Sequence, residues 1–144
     1  MNGTNGTPAP ATVALAPLIA SAISIRDSLT EAVTQLNLAL ENESDKRRTA
    51  KELRQMYDEA EAEFTAETLP TCDAKNAEGR KAQLDAALVA ARRDGPLTRL
   101  WAQATAAAYD AEDAKVGLEQ CAKSFRGVEA AAELTAAMLR AAAR

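Results

Sequence analysis

The sequence predicts an all-α protein in which long amphipathic helices pair as a helical hairpin or bundle, coiled-coil-like and oligomeric. Apolar residues recur at spacings of three and four along most of the chain, and no segment alternates apolar and polar residues as a strand would. No Gly or Pro interrupts residues 18–69. Hydrophobic residues make up 47% of the chain but aromatic residues only 3%, because much of the apolar content is alanine. Seams of alanine let paired helices approach closely.

The first predicted helix spans residues 15–68 and follows a flexible polar tail, residues 1–14. Pro17 is compatible with a first helical turn. A chain of 144 residues is long enough for one domain, so residues 15–144 are predicted to form a single helical domain. The predicted apolar seam of this helix is Leu15, Leu18, Ala22, Ile25, Leu29, Val33, Leu36 and Leu40, resuming with Leu53, Tyr57, Ala60 and Phe64.

Two further helices are predicted after the break at Pro70, over residues 74–93 and 96–143. Asp73 is the expected N-cap of the second helix. The sequence Asp94-Gly95-Pro96 ends it, since Gly favours helix ends and Pro favours helix starts. Gly127 marks a candidate kink in the third helix. The seam of that helix is Leu97, Trp101, Ala104, Ala108, Ala111, Leu118, Cys121, Phe125, Val128, Ala132, Thr135, Leu139 and Ala142.

Charge is sharply segregated along the first helix. Residues 46–54 hold five cations, and the acidic segment 57–67 follows. The apolar seam is interrupted over residues 41–52, which indicates either a solvated stretch or a break in the helix, or else a functional face. Arg47, Lys51 and Arg54 are spaced by four and three, so a continuous helix places them on one face.

Several function classes lose support from composition alone. The chain has no histidine, no Gly-rich phosphate loop and no nucleophile elbow, so we predict that it is not an enzyme and needs no cofactor or metal. Cys72 and Cys121 lie far apart in sequence and are interpreted as reduced thiols. The apolar run 13–25 has no preceding positive charge and is too short to span a bilayer. We therefore predict a cytoplasmic protein without a membrane partner.

Nucleic-acid binding requires a local basic patch here, because the net charge is −4. If the first two helices pack antiparallel, the cluster 46–54 comes close to Arg92 and Arg93. Phosphate contacts would then make binding of single-stranded DNA sensitive to salt. Tyr57 and Trp101 either stack on bases or pack in the core. The candidate nucleic-acid-binding residues are Lys46, Arg47, Arg48, Lys51 and Arg54, with Arg80, Lys81, Arg92 and Arg93 as a second group.

Residues 57–67 and 74–85 resemble small helical proteins of tailed bacteriophages, in the UvsY-like family of recombination, repair and single-stranded-DNA-binding proteins. The segment Asn76-Ala77-Glu78-x-Arg80-Lys81-Ala82 carries most of the resemblance, and the alanine-rich helix 125–140 also fits. The resemblance extends over residues 25–140.

This resemblance implies a non-catalytic recombination mediator in the cytoplasm of a bacterial host. Such a protein binds single-stranded DNA as a homo-oligomer and helps a RecA-like recombinase to displace a single-strand-binding protein. Asn76, Arg80 and Lys81 match the motif. Asn76 and Glu78 fit the start of a helix equally well, since one would cap it and the other would complement its dipole.

The alternative is a coiled-coil structural, assembly or inhibitor protein that acts through protein–protein contacts without DNA. Its acidic and basic blocks would pair between subunits, which fixes register and partner choice more than affinity. The two hypotheses differ in whether the basic residues contact the phosphates of DNA or the acidic residues of a neighbouring subunit.

Overall fold

The structure is a computed structural model that describes the backbone of residues 10–143 and the side chains of residues 15–143. Within this range the chain forms α1 (Pro10–Thr68), a 3-10 turn (Leu69–Thr71), α2 (Ala77–Asp94) and α3 (Thr98–Ala142). The described residues contain no strand. The predicted all-α helical hairpin or bundle is confirmed, and α3 passes through Gly127 without interruption.

The first helix is longer than predicted. It has 59 residues and begins at Pro10 instead of near residue 15. Proline suits the first position of a helix because its missing N–H would have no partner there. Pro17, expected in the first turn, lies inside α1 instead. There it leaves one carbonyl of the preceding turn without a helical donor. The prediction of a flexible tail is wrong for residues 10–14, which belong to α1, and the rest of that segment lies outside the described part of the chain.

A side-chain cap fixes the start of α2. Asn76 accepts a hydrogen bond from the backbone amide of Gly79 at 2.7 Å. Asp73 was the wrong prediction for this cap, and its carboxylate instead accepts a hydrogen bond from the Gln83 side chain at 2.7 Å. A Cβ atom on residue 79 would lie 2.8 Å from Oδ1 of Asn76 and 2.9 Å from Cβ of Ala74. The cap therefore requires glycine at this position.

A tight corner joins α2 to α3 at the predicted break. A Cβ atom on Gly95 would lie 2.7 Å from the Cα of Ala91, so the close approach of the two backbones excludes a larger residue. The amide of Leu97 donates to the carbonyl of Ala91 at 3.1 Å. The hydroxyl of Thr98 accepts a hydrogen bond from the Gly95 amide at 2.9 Å, which satisfies a donor at the corner.

The helices divide into two compact units. Unit 2 comprises residues 41–116 and contains the end of α1, all of α2 and the first part of α3. Unit 1 comprises the residues up to Leu40 and those from Gly117 onward. The described part of unit 1 holds only the first part of α1 and the last part of α3. The single domain over 15–144 stays a prediction.

Within each unit, α1 and α3 each carry a row of buried and half-buried side chains spaced alternately by three and four residues, the heptad repeat of a coiled coil. In unit 1 these positions are Leu15, Leu18, Ala22, Ile25, Leu29, Ala32, Leu36 and Ala39 on α1, and Leu118, Cys121, Phe125, Val128, Ala132, Thr135, Leu139 and Ala142 on α3. In unit 2 they are Ala50, Leu53, Tyr57, Ala60 and Phe64 on α1, Leu97 just before α3, and Leu100, Ala104, Ala107, Ala111 and Ala114 on α3.

The heptad repeat corrects two predicted seam positions of α1. Val33 and Leu40 are 41% and 47% exposed. The alanines one residue earlier, Ala32 and Ala39, are half-buried in their place. The prediction followed the larger side chain at each site, whereas the spacing of three and four selects the smaller one.

The same correction applies to α3. Trp101 and Ala108 were predicted in the seam but are both exposed. Leu100 is half-buried and Ala107 is buried in their place. The indole is thereby left on the flank of the helix, where it reaches the surface of unit 2.

The hydrophobic core of unit 2 lies where its three helices meet. Tyr57 on α1 is 0% exposed, Ala91 on α2 is 4% exposed, and Leu97 and Ala104 near the start of α3 are 3% and 6% exposed. Half-buried side chains packed against this cluster are Leu53, Ala60, Phe64, Leu88 and Leu100. Two of the four buried residues are alanines, so close helix approach contributes as much to this core as large side chains do.

Candidate nucleic-acid interface

The predicted basic cluster lies on the surface of unit 2. Lys46, Arg47, Arg48, Lys51 and Arg54 are all exposed on α1. The helix continues through residues 41–52, so a break, one of the alternatives for this stretch, is wrong.

Four of the five cations lie within 4.0 Å of a carboxylate of the same chain. Lys46 reaches from α1 to Asp110 on α3, with Nζ 3.1 Å from Oδ2. The other pairs join neighbouring turns of α1: Arg47 with Glu43 at 4.0 Å, Arg48 with Asp45 at 3.0 Å and Arg54 with Asp58 at 2.9 Å. Among the described residues no carboxylate lies within this distance of Lys51. Exposed pairs of this kind contribute about 0–1 kcal/mol each, so a phosphate can compete for the cation.

An open groove of about 310 Å³ runs between α1 and α3 in unit 2. It is lined by Ala50, Arg54, Trp101, Ala104, Thr105, Ala108 and Tyr109. Trp101 is 36% exposed and Tyr109 is 71% exposed. Because a helix rises 1.5 Å per residue, eight residues separate the two rings by roughly 12 Å along α3.

Tyr109 was missed by the sequence reasoning, although a signal was present. The spacing of eight residues from Trp101 places two aromatic side chains near the same face of a helix. The groove thus combines two exposed rings with the cation of Arg54, which is the combination of groups that holds single-stranded nucleic acid by stacking and phosphate contact.

A polar cluster lies beneath the groove, where the Tyr57 ring is fully buried. The Tyr57 hydroxyl accepts a hydrogen bond from Nε of Arg92 at 2.6 Å, and Nη2 of the same arginine donates to Glu61 at 3.0 Å. The Tyr57 and Trp101 ring centroids are 5.2 Å apart, and the Arg92 guanidinium lies 5.0 Å from the Trp101 centroid. Of the two hypotheses for Tyr57, core packing is therefore right and base stacking is wrong.

The three polar groups of this cluster alter each other's ionisation. Burial, and then the neighbouring Glu61 carboxylate, raise the pKa of the Tyr57 phenol. The hydrogen bond from Tyr57 and the charge of Arg92 hold the pKa of Glu61 below its ordinary value. Glu61 and Tyr57 raise the pKa of Arg92, so its guanidinium stays charged. The ion pair of Arg92 and Glu61, held by the Tyr57 hydroxyl, therefore supports the groove structurally.

The second group of predicted binding residues is spread along α2. Packing of α1 against α2 brings Arg92 to Glu61, as expected for antiparallel helices. The Arg92 side chain turns inward, however, and is only 31% exposed. Arg93 is exposed and paired with Asp94 at 2.7 Å. Arg80 and Lys81 are exposed near the other end of the helix. At 1.5 Å per residue they lie roughly 18 Å from Arg92 along the axis, so they do not extend the groove.

The described residues assemble no metal centre and no membrane span. No group of three or more potential metal-ligating side chains comes together among residues 15–143. No helix in the described range is long and apolar enough to cross a bilayer. Cys72 and Cys121 are free and half-buried.

These features define a helical-hairpin protein with an exposed aromatic and basic groove. Comparisons of the chain with protein-family models, with curated proteins and with solved structures returned no match. The resemblance to the UvsY-like family therefore stays a prediction from the motif at residues 76–82. The structure assigns Asn76 of that motif to the helix cap.

Proposed function

We propose that this chain binds single-stranded DNA as a homo-oligomer, without catalysing a reaction, and mediates recombination and repair for a bacteriophage in the cytoplasm of its bacterial host. Its protein partner in this role is a RecA-like recombinase or a single-strand-binding protein. The groove of unit 2, with Trp101, Tyr109 and Arg54, is the proposed binding site, and Arg47 and Lys51 extend it along α1.

One observation supports this proposal above the others: two exposed aromatic rings share a groove with an exposed arginine. Base stacking on such rings contributes about 1–3 kcal/mol per base and accepts any sequence. Arg47, Lys51 and Arg54 follow one face of the same helix and supply phosphate contacts. The phosphates would replace Asp58 and Glu43 as partners of Arg54 and Arg47, since exposed ion pairs are weak.

The second candidate function is a coiled-coil assembly or inhibitor protein that acts without DNA. It is favoured by the pairing of four basic-cluster cations with carboxylates of the same chain, which reduces the positive potential available to a polyanion. It is favoured also by exposed large apolar side chains on unit 1, such as Ile19 and Leu134, at 51% and 63% exposure.

The test is fluorescence anisotropy of a labelled single-stranded oligonucleotide, titrated with the protein at several salt concentrations, with duplex DNA as competitor. We expect binding that prefers the single strand and weakens steeply with salt. Reversing the charge of Arg47, Lys51 and Arg54 to Glu should abolish most of the affinity. It should also reduce the slope of log K against log salt by about 2, at about 0.7 per lost phosphate contact.

A matched control carries the same charge change elsewhere. Lys123, Arg126 and Arg140 are exposed on α3 in unit 1, and their replacement by Glu should leave binding nearly unchanged apart from the general effect of net charge. Trp101→Ala and Tyr109→Ala should each weaken binding about tenfold, with little change in the salt slope.

The proposal fails if the wild-type protein does not bind at low salt. It fails equally if both charge-reversed variants lose the same affinity, because the effect would then follow net charge and not the groove. Either result leaves the assembly protein as the function to pursue.

A further inference from the structure

A second row of exposed side chains runs along α1 in unit 1, beside the row that packs against α3, and four of its seven members are apolar. Ile19, Ile23, Val33 and Leu40 are exposed by 51%, 50%, 41% and 47%. They belong to a regular row at spacings of four and three, here called the outer stripe: Ile19, Ile23, Arg26, Thr30, Val33, Asn37 and Leu40, all exposed. From Ile19 to Leu40 the row is roughly 32 Å long at 1.5 Å per residue, which is three heptads.

The segment that carries the outer stripe has little charge. Residues 15–40 contain three charged side chains, Arg26, Asp27 and Glu31, and Arg26 is already paired with Asp27 at 2.9 Å. The heavily charged part of α1 begins only at Glu41. The outer stripe itself carries one charge, Arg26, and two uncharged polar residues, Thr30 and Asn37. A helix that fits it must therefore present few charges over about three heptads, and residues 15–40 of this chain meet that description.

The need for a further helix follows from the composition of unit 1. In unit 2 the third helix, α2, completes a core in which Tyr57 is fully buried. The described part of unit 1 has no third helix, and its only buried residue is Thr135, at 9% exposure. Two paired helices leave outer faces exposed, whereas a four-helix arrangement buries them.

We propose that the outer stripe is the interface between two copies of this chain, paired antiparallel around Thr30. This inference rests on the homo-oligomer of the proposed function and names its contact surface and polarity. Pairing the seven positions in opposite order sets Ile19 against Leu40, Ile23 against Asn37 and Arg26 against Val33, with Thr30 against its own copy. A parallel, in-register pair would instead place Arg26 against its own copy, which like-charge repulsion disfavours. The antiparallel arrangement closes by two-fold symmetry.

The test is the molar mass of the full chain in solution, measured by sedimentation equilibrium and light scattering without DNA. The wild-type protein should have a mass of at least twice the 15.2 kDa of one chain. The variant with Ile23→Glu and Val33→Glu should shift to the single-chain mass. Both side chains are exposed, so helical content should stay at the wild-type level by circular dichroism.

Leu38→Glu is the matched control. Leu38 lies on the same helix in unit 1 and is 55% exposed, but it is not part of the outer stripe. The proposal predicts that this variant keeps the wild-type mass. If the double variant keeps the wild-type mass, or if Leu38→Glu or Leu134→Glu dissociates the oligomer, the outer stripe is not the specific interface and the proposal is wrong.

Cross-linking tests the polarity. In a background with Cys72→Ser and Cys121→Ser, a mixture of Ile19→Cys and Leu40→Cys proteins should form a heterodimeric disulfide, whereas Ile19→Cys alone should not. A disulfide in Ile19→Cys alone would overturn the antiparallel register. A monomeric wild-type protein would overturn both the interface and the homo-oligomer, while DNA binding by the groove is decided separately by anisotropy.

Discussion

Unit 1 and unit 2 are built from the same two long helices, yet they bury side chains to very different extents. Among the described side chains, all the buried apolar ones are in unit 2: Tyr57, Ala91, Leu97, Ala104, Ala107 and Ala114. The described part of unit 1 buries only Thr135. The difference follows from α2, which gives unit 2 a third helix. The heptad repeat alone is sufficient to pair two helices, but a third helix is needed before a large side chain such as tyrosine is removed from water.

The largest expected effect comes from the core of unit 2. Tyr57→Ala should lower the free energy of unfolding by about 3–5 kcal/mol, because it leaves a cavity and removes a hydrogen-bond partner from the half-buried Arg92. Urea denaturation measures it. Tyr109→Ala makes the same chemical change at a side chain that is 71% exposed and should stay within about 0.5 kcal/mol of wild type. Similar losses in the two variants would contradict the assignment of the core.

Gly79 in unit 2 offers a smaller effect with a defined sign. Gly79→Ala should destabilise by about 1 kcal/mol, since the new Cβ displaces Asn76 and breaks the helix cap. Thermal denaturation of a double-mutant cycle isolates the cause. In a background of Asn76→Ala, where the cap is already absent, Gly79→Ala should cost markedly less. Additive losses would show that the cap is not what requires glycine.

Gly127 in unit 1 should respond with the opposite sign. It lies inside α3, and a Cβ atom there would meet nothing within 4 Å. Gly127→Ala should therefore stabilise by about 0.5–1 kcal/mol, because alanine loses less backbone freedom in a helix. The melting temperature reports the change, and Gly117→Ala, equally open, should behave alike. A destabilisation at both sites would indicate that neither position is open in the folded protein.

The smallest expected effect concerns the loss of folding stability at low pH. Glu61 has a lowered pKa in the folded protein, so its ionised form stabilises the fold above the unfolded-state pKa of about 4.3, and this contribution is lost as pH falls through the folded-state value. In Glu61→Gln this part of the loss of stability at low pH should be absent. The free energy of unfolding is measured by urea denaturation between pH 7 and pH 3. Glu63→Gln, exposed on the same helix, is the control. Identical curves for wild type and Glu61→Gln would refute the coupling.

The sequence was sufficient to predict the helices and the breaks at Pro70 and Gly95, because periodicity and turn residues are local signals. It was insufficient to predict the inward face, since the larger Val33 and Trp101 were expected there and the heptad repeat instead leaves Ala32 and Leu100 half-buried. The inward orientation of the Arg92 side chain could not be predicted, because it depends on a hydrogen bond to Tyr57, which lies 35 residues earlier in the sequence. Tyr109 was overlooked because only the packed helices reveal the groove it shares with Arg54.

The strict alternation of three and four in unit 1 also makes its length adjustable. Each heptad on α1 is matched by one on α3, so removing seven residues from both helices leaves every remaining inward position in register. Each such step changes the length of the pair by about 10 Å. Removing seven residues from only one helix leaves a heptad without a partner. A related chain with a longer or shorter unit 1 should therefore differ from this one by a multiple of seven residues in α1 before unit 2, and by the same number of residues in α3 after unit 2.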